Sequence, residues 1–373
     1  MPDFRPLNPP QRTLLGPGPS MVHPRVLGAL AMPTVGHLDP YFQEVMDDVK
    51  SLLRYAFRTE NDFTVPVSGT GSAGMEAALC NMIEPGDNVL ICIIGYFGER
   101  MYDMATRYTA NVDRLDKPWG EAFDPAEIRA ALQKKKYKLV ALVHCETSTG
   151  ILQPGIQEIA EAAHEYGALC VLDTVASWPG VPVEVDGWDV DIAYSGSQKA
   201  LSAPPGLAPI TLSPRAREAL RTRKTKVANW YLDLQALDAY WGGGKRVYHH
   251  TAPVNMNYAM REALLLVQEE GLEHVHARHR AAAAQLWEGL ESLGAAPRAP
   301  LALRSPTLTT AVIPAGVDDL AVRQRLLNEY NVEISGGFGP LAGQVWRIGL
   351  MGHSARRENV TLLLAAMKDV LKV

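Results

Sequence analysis

The stretch Tyr194-Ser195-Gly196-Ser197-Gln198-Lys199 ends an apolar segment in a lysine surrounded by small residues. Upstream, Val171-Leu172-Asp173 is a second apolar segment, and it ends in an acid. The flanking sequence alternates short apolar segments with stretches of helical length, which is typical of a mostly parallel sheet covered by helices on both faces. Such sheets bind ligands beyond the carboxyl ends of their strands. The sequence therefore predicts an α/β fold with Asp173 and Lys199 at its ligand-binding edge.

The order of the predicted elements divides the chain into a larger and a smaller part. Strands are predicted at 63–68, 88–94, near Val112, 139–143, 168–172, 191–195 and 207–212, and helices at 40–56, 73–83, 97–108 and 156–166. A long helix is predicted over 256–293, and a strand–helix module follows it. Because a chain of 373 residues is too long for one small core, we expect an N-terminal arm at 1–20, a large domain at 21–270 and a small C-terminal α+β domain at 271–373.

Composition excludes several classes of partner. The hydrophobic content of 47% and the charged content of 21% are those of an ordinary globular protein. A net charge of −5 gives no electrostatic reason to expect binding to nucleic acid or to an acidic membrane. The four cysteines, Cys80, Cys92, Cys145 and Cys170, stand singly in apolar segments. We therefore expect buried thiols in a cytoplasmic protein, with neither a disulfide framework nor a metal site.

A glycine-rich loop, Ser68-Gly69-Thr70-Gly71-Ser72-Ala73-Gly74, connects a predicted strand to a predicted helix. Converging backbone N–H groups, hydroxyls and the helix N-terminus would make it a phosphate cradle. The loop also matches the dinucleotide fingerprint, which requires an acid at the end of the second strand. That strand ends Ile94-Gly95-Tyr96-Phe97, whereas Glu84 and Asp87 precede it. A dehydrogenase is therefore disfavoured, and Phe97 is better explained as an aromatic face for a flat cofactor ring.

A lysine, an acid and a phosphate cradle at one sheet edge are what pyridoxal phosphate requires. Lys199 can form a Schiff base with the cofactor aldehyde, and Asp173 can keep the ring nitrogen protonated so that the ring accepts electrons. Taken alone, each residue has an ordinary explanation as a surface lysine or a strand-end acid. Together with the loop at 68–74 they favour a pyridoxal phosphate enzyme.

Seven sequence blocks spread over nearly the whole chain occur in a characteristic order. They are Leu14-Leu15-Gly16-Pro17-Gly18-Pro19-Ser20, the 68–74 loop, His144-Cys145-Glu146-Thr147-Ser148-Thr149-Gly150, Asp173-Thr174-Val175-Ala176-Ser177, the 195–199 segment, Tyr248-His249-His250-Thr251 and Arg347-Ile348-Gly349. In these blocks the chain resembles the class V aminotransferases of the fold-type I pyridoxal phosphate superfamily, and within them the alanine–glyoxylate and serine–glyoxylate (or serine–pyruvate) group. The resemblance implies a large domain with a mostly parallel, seven-stranded sheet.

The resemblance also implies roles for single residues around the cofactor. Lys199 would carry the cofactor, and Asp173 would pair with the pyridinium nitrogen. Val175 and Phe97 would pack against opposite faces of the ring. The residues expected at the phosphate are Thr70, Gly71, Ser72 and Gln198.

Further residues are implied at the substrate and at a subunit interface. Ser148 would lie close to the ring oxygen and the substrate, and Arg347 would bind the substrate α-carboxylate. Tyr248 and Thr251 would reach the phosphate of the partner subunit in a homodimer. The chain departs from the animal peroxisomal members, which have His in place of Ser72 and Trp in place of Phe97. These departures suggest a bacterial-type cytoplasmic enzyme.

The activity implied is transamination of a small amino acid, alanine or serine, with glyoxylate as acceptor. Serine–pyruvate and ureidoglycine–glyoxylate transamination stay open. A lyase or desulfurase on the same fold is a rival, although none of the four cysteines lies in the polar or glycine-rich loop that a desulfurase requires. A binding protein without chemistry is a further rival, against which the intact Lys199 and Asp173 argue.

Overall fold

The computed structural model describes residues 5–242 and 246–372 of the chain. The strands in this part of the chain are β1 (Thr13–Leu14), β2 (Phe63–Ser68), β3 (Asn88–Ile93), β4 (Asn111–Asp116), β5 (Leu139–Val143), β6 (Cys145–Glu146), β7 (Ile151–Leu152), β8 (Leu169–Asp173), β9 (Ile192–Tyr194), β10 (Leu207–Leu212), β11 (Leu308–Val312), β12 (Val332–Glu333), β13 (Ser335–Gly336) and β14 (Val345–Gly349). The α-helices are α1 (Pro24–Leu30), α2 (Pro40–Phe57), α3 (Gly71–Met82), α4 (Tyr96–Thr106), α5 (Pro125–Leu132), α6 (Ile156–Glu165), α7 (Pro214–Arg221), α8 (Leu234–Trp241), α9 (Val254–Glu270), α10 (Leu272–Ser292), α11 (Asp319–Tyr330) and α12 (Arg357–Leu371).

The central element is a seven-stranded sheet with the order β2-β10-β9-β8-β5-β3-β4. All of its strands run parallel except β10, which is antiparallel to both of its neighbours. Strands β5 and β8 are buried along their whole length, which is why their sequences are continuous apolar runs rather than alternating ones. The mostly parallel seven-stranded sheet expected from the sequence is confirmed.

The register of this sheet brings the ends of its strands to one edge. Val143 of β5 pairs with Asp173 of β8, and Asp173 pairs in turn with Tyr194 of β9. Because β2 and β3 run in the same direction, the loops that follow them open at the same edge. The loops that follow these strands carry the residues predicted to contact the phosphate and the ring. All of these loops therefore begin at the same edge of the sheet.

A smaller antiparallel sheet, β11-β14-β13, packs with α10, α11 and α12 around a second core that includes Trp346, Leu286 and Leu363. This confirms the C-terminal α+β module, while the proposed boundaries at 20 and 270 stay a prediction. The N-terminal segment joins this second module, because Leu15 is buried in its core and β1 pairs with β12. The Gly349 N–H donates to the Leu15 carbonyl at 2.8 Å.

The predicted helix over 256–293 is wrong as a single element. It consists of α9 and α10, separated at Gly271, whose backbone angles (φ 81°, ψ 135°) lie outside the helical region. A glycine adopts this conformation at little cost and so permits the break between two helical patterns. Within the described residues, every helix is too short or too polar to cross a bilayer.

Candidate active site

A cavity of about 200 Å³ lies at the carboxyl ends of the parallel strands. It brings together eight of the residues predicted at the cofactor: Thr70, Gly71, Ser72, Phe97, Asp173, Val175, Gln198 and Lys199. Four other predicted residues, Ser148, Tyr248, Thr251 and Arg347, do not line it. The loops after β2, β3, β8 and β9 therefore converge on one cavity, as the register of the sheet requires.

Lys199 lies in the turn after β9, and its ammonium donates a hydrogen bond to the Pro17 carbonyl. Burial, and then the positive charge of Arg347, lower the pKa of Lys199 to about 8. The amine is therefore easier to deprotonate than an exposed lysine, as a nucleophile or proton carrier must be. The arm passes very close to this side chain, because a Cβ on Gly18 would lie 2.8 Å from the lysine Nζ.

Asp173 ends β8 and is buried. The Val175 N–H and the Tyr194 hydroxyl donate to its two carboxylate oxygens at 2.8 and 2.9 Å. Burial raises the pKa of Asp173 to about 6, although both hydrogen bonds favour the charged form. Above that pH the carboxylate is ionised and can hold a protonated ring nitrogen.

The phosphate cradle is formed where α3 begins. The first turn of α3 opens on the cavity with Thr70, Gly71 and Ser72, and within the described residues no side chain caps this helix terminus. The N–H groups of Gly71 and Ser72, which make no hydrogen bond within the described residues, are therefore free to bind an anion. Gly71 allows a close approach, because a Cβ there would lie 3.0 Å from the Val175 side chain. The glycine-rich loop has the geometry that a phosphate requires.

Two buried polar atoms around the cavity have no hydrogen-bond partner within the described residues. Within the described residues, Gln198 Oε1 and Thr147 Oγ1 are buried and make no hydrogen bond, and both residues line the cavity. A buried polar group without a partner costs about 1–3 kcal/mol. A ligand with both donors and acceptors would remove that cost, because Gln198 Oε1 can only accept a hydrogen bond whereas the Thr147 hydroxyl can also donate one. A cofactor that carries a ring hydroxyl and a phosphate offers both.

A buried carboxylate that the sequence analysis did not single out, Glu146, connects two of the predicted residues. Its Oε1 accepts from the Ser148 N–H and hydroxyl at 3.0 and 2.7 Å, and its Oε2 accepts from the Phe97 N–H at 3.0 Å. The Ser148 hydroxyl in turn accepts from the Tyr96 N–H at 3.0 Å. Burial raises the pKa of Glu146, while these hydrogen bonds act in the opposite direction. Glu146 thus holds Ser148 against the first turn of α4.

Arg347 lies on β14 beside the cavity and is buried. Its Nε donates to the Gly336 carbonyl at 2.7 Å, and its guanidinium lies 3.7 Å from the centre of the Phe338 ring. Burial lowers the pKa of Arg347 to about 10, so the group stays cationic at neutral pH. Within the described residues no carboxylate forms an ion pair with it, which leaves its charge available to a bound carboxylate.

Tyr248 and Thr251 lie outside the cavity of their own chain. Both are exposed, and the Tyr248 ring lies 5.3 Å from that of His37. Between them, His250 shares a 2.7 Å hydrogen bond with Ser68 at the end of β2. Their predicted role concerns the site of a partner subunit and stays a prediction.

Tyr194, Pro17, Arg100 and Cys145 are four of the cavity or contact residues that the sequence does not predict. Cys145 lines the cavity, and burial raises the pKa of its thiol to about 11. Of the four, Arg100 carried a recognisable signal, since it stands three residues after Phe97 on α4 and so shares its helix face. The contacts of the other three join segments distant in sequence.

Comparisons with known proteins identify the family of this chain. The family model "Aminotransferase class-V" matches residues 25–360, and the chain belongs to this family of aminotransferases. The crystal structure of alanine–glyoxylate aminotransferase from Nostoc sp. is 53% identical, with a TM-score of 0.97 over 99% of this chain and 97% of that one. The (S)-ureidoglycine–glyoxylate transaminase of Bacillus subtilis is 42% identical over 97% of this chain and 91% of its own. Alanine–glyoxylate aminotransferase of Drosophila melanogaster is 42% identical over 99% and 94%.

The cofactor is pyridoxal phosphate, as the family implies and as the residues around the cavity fit. When bound, it supplies an aldehyde for the substrate amine and a ring that accepts electrons from the Cα–H bond. Asp173 can hold the ring nitrogen protonated, and α3 can bind the phosphate. Lys199 Nζ, with its lowered pKa, can take the proton from the substrate Cα and return it. Arg347 can orient the substrate through its carboxylate.

Proposed function

We propose that this aminotransferase transfers the amino group of alanine or serine to glyoxylate, giving glycine and pyruvate or hydroxypyruvate. The observation that carries the proposal is the setting of Arg347. This guanidinium is covered on one face by Phe338, whose ring lies 5.1 Å from that of Tyr96. The clamp therefore offers a cation for one carboxylate beside two aromatic rings, a setting that favours a substrate with a short, uncharged side chain.

The relatives support glyoxylate as the acceptor. The relatives from Nostoc sp., Bacillus subtilis and Drosophila melanogaster all carry glyoxylate in their names. Their donors differ, since two are named for alanine and one for (S)-ureidoglycine. A ureidoglycine donor is therefore the second candidate, and serine–pyruvate transamination is a further alternative.

A desulfurase is disfavoured by the state of the cysteines. All four are buried, and the thiol nearest the chemistry, Cys145, donates a 3.1 Å hydrogen bond to Ser305 from strand β6. Its pKa, raised by burial to about 11, keeps it protonated at neutral pH. The attacking group in a desulfurase is a thiolate, so this thiol lacks both the charge and the mobility required.

The test is a panel of donors and acceptors with purified holoenzyme. We expect alanine or serine with glyoxylate to give a kcat/KM at least about tenfold above that of aspartate with 2-oxoglutarate, because a side-chain carboxylate would need a second cation at the substrate. (S)-ureidoglycine and pyruvate are included as the alternative donor and acceptor. Lys199→Ala, lacking the proton carrier, is the inactive control. Faster turnover of aspartate and 2-oxoglutarate would contradict the proposal.

We also propose that the protein is a homodimer in which Tyr248 and Thr251 complete the phosphate site of the partner. Support comes from the large side chains exposed around this loop: Trp230 is 69% exposed, Val247 58% and Tyr248 56%. Aromatic side chains of this kind are enriched at the centre of protein interfaces. The cytoplasmic location expected from the sequence stays a prediction.

A further inference from the structure

The side chain of Arg100 points from α4 into the cofactor cavity. Its Nη1 donates to the Ser72 hydroxyl at 3.0 Å, which places the guanidinium on the phosphate loop. The same group lies 4.7 Å from the centre of the Phe97 ring and 5.4 Å from that of Tyr96. Arg100 is therefore held between the predicted phosphate site and the predicted ring face.

The charge of Arg100 has no counterion in the part of the chain that the structure describes. Within the described residues, no carboxylate lies within 4.0 Å of its guanidinium, whereas Arg107 at the end of the same helix pairs with Asp103 at 2.8 Å. A cation beside a cavity and without a partner is a site for an anion.

The phosphate cradle by itself is short of positive charge. Its predicted side-chain ligands, Thr70, Ser72 and Gln198, are all neutral, and a helix N-terminus contributes only about half a charge. A phosphate monoester carries about 1.5 to 2 negative charges at neutral pH. Among the described residues that line the cavity, the cationic side chains are Arg100 and Lys199, and Lys199 is committed to the chemistry.

We propose that Arg100 is a binding residue for the cofactor phosphate, which it reaches beside Ser72. It supplies the charge that the neutral donors of the loop lack, and its stacking on Phe97 holds the guanidinium in a fixed orientation. The ligand class is a phosphate monoester on a flat ring. The alternative is a purely structural role, in which Arg100 only supports the Phe97 ring.

The test compares the affinity for pyridoxal phosphate with that for pyridoxal, which lacks the phosphate. Cofactor is first released from Lys199 by an amino-acid donor and then removed by dialysis, and each ligand is titrated by the quenching of protein fluorescence. We expect Arg100→Gln to weaken pyridoxal phosphate binding by about ten- to a hundredfold, the value of a charge-assisted hydrogen bond, and pyridoxal binding by less than about twofold. Arg100→Lys, which keeps the charge, should recover part of the loss.

Arg107→Gln is the matched control, because it removes an arginine near α4 that lies outside the cavity. It should leave both affinities unchanged. Inorganic phosphate is also titrated as a competitor of the cofactor. It should inhibit cofactor binding to the wild-type protein at a lower concentration than it inhibits binding to Arg100→Gln. If Arg100→Gln lowered the affinities for pyridoxal phosphate and pyridoxal equally, Arg100 would only support the ring, and the proposal would be overturned. Unchanged affinity for pyridoxal phosphate would overturn it as well. Thermal unfolding of the cofactor-free variants establishes that each one is folded.

Discussion

At the scale of single residues, Glu146 acts on the site indirectly, by holding other residues in position. Glu146 touches neither the cavity nor the clamp, yet its carboxylate accepts hydrogen bonds from Ser148 and from the Phe97 N–H. Both of these neighbours are predicted to face the cofactor. A carboxylate suits this position because it offers acceptors alone, and all of its partners are donors.

Replacement of Glu146 by glutamine should therefore be costly although the shapes match. The amide NH₂ would face backbone N–H donors that need an acceptor, and stranded buried donors cost about 1–3 kcal/mol each. We expect Glu146→Gln to lower the free energy of unfolding by about 2–4 kcal/mol in urea and to reduce the circular dichroism of the bound cofactor. Glu158→Gln, in the exposed first turn of α6, is the control and should change both by little. Equal effects in the two variants would exclude this role for Glu146.

At the scale of elements, the sequence predicts what local patterns determine. The alternation of strands and helices, the glycine-rich turn into α3 and the acid at the end of β8 are all local, and the structure contains them. The break between α9 and α10 was missed because both sides carry helical patterns and only Gly271 marks the boundary. The contacts of Tyr194, Glu146 and Pro17 were missed for a different reason. They depend on which strands become neighbours, and no short window of sequence contains that information.

The N-terminal arm shows how such a contact connects elements. The arm lies directly on β14, where a Cβ on Gly349 would overlap the Gly16 carbonyl. One residue further along the arm, the Pro17 carbonyl accepts the hydrogen bond from Lys199. The arm therefore links the C-terminal sheet, which carries Arg347, to the turn that carries the lysine.

Gly349→Ala should separate the arm from β14. We expect the free energy of unfolding to fall by about 2–4 kcal/mol, the cost of overpacking and of a lost hydrogen bond, and the Gly349 and Leu15 amides to exchange faster with deuterium. Gly28→Ala is the control, because its added methyl meets open space on α1; it should stabilise the helix by up to about 1 kcal/mol. Unchanged amide exchange in Gly349→Ala would show that the arm is not held by this contact.

At the scale of the whole molecule, the loop that carries Tyr248 and Thr251 has no assigned role in the cavity of its own chain. His250, which lies between these two residues, shares a hydrogen bond with Ser68 at the end of β2. The loop therefore lies beside the phosphate cradle. Its own side chains nevertheless lie outside that cavity. A two-fold interface would resolve this geometry, because each loop could then serve the cavity of the other chain and two equivalent sites would result.

Mixing two inactive chains tests the shared site. One chain carries Lys199→Ala and the other carries Tyr248→Ala with Thr251→Ala, and the two are exchanged and verified as heterodimers. One of the two sites in the heterodimer then combines an intact lysine with an intact loop. Because half of the dimers in an equimolar mixture are heterodimers, we expect transaminase activity to recover to about a quarter of the wild-type value.

In the matched control, the chain that carries Lys199→Ala is mixed with a chain that carries Asp173→Ala instead of the two loop substitutions. Lys199 and Asp173 lie in the same cavity of the same chain, so every site in this second heterodimer lacks one of them. Activity should therefore stay absent after exchange, although the interface is intact. Recovery in the loop experiment together with none in the control requires that the loop acts across the interface. A fully active monomer, or no recovery after verified exchange, would instead assign Tyr248 and Thr251 to their own chain.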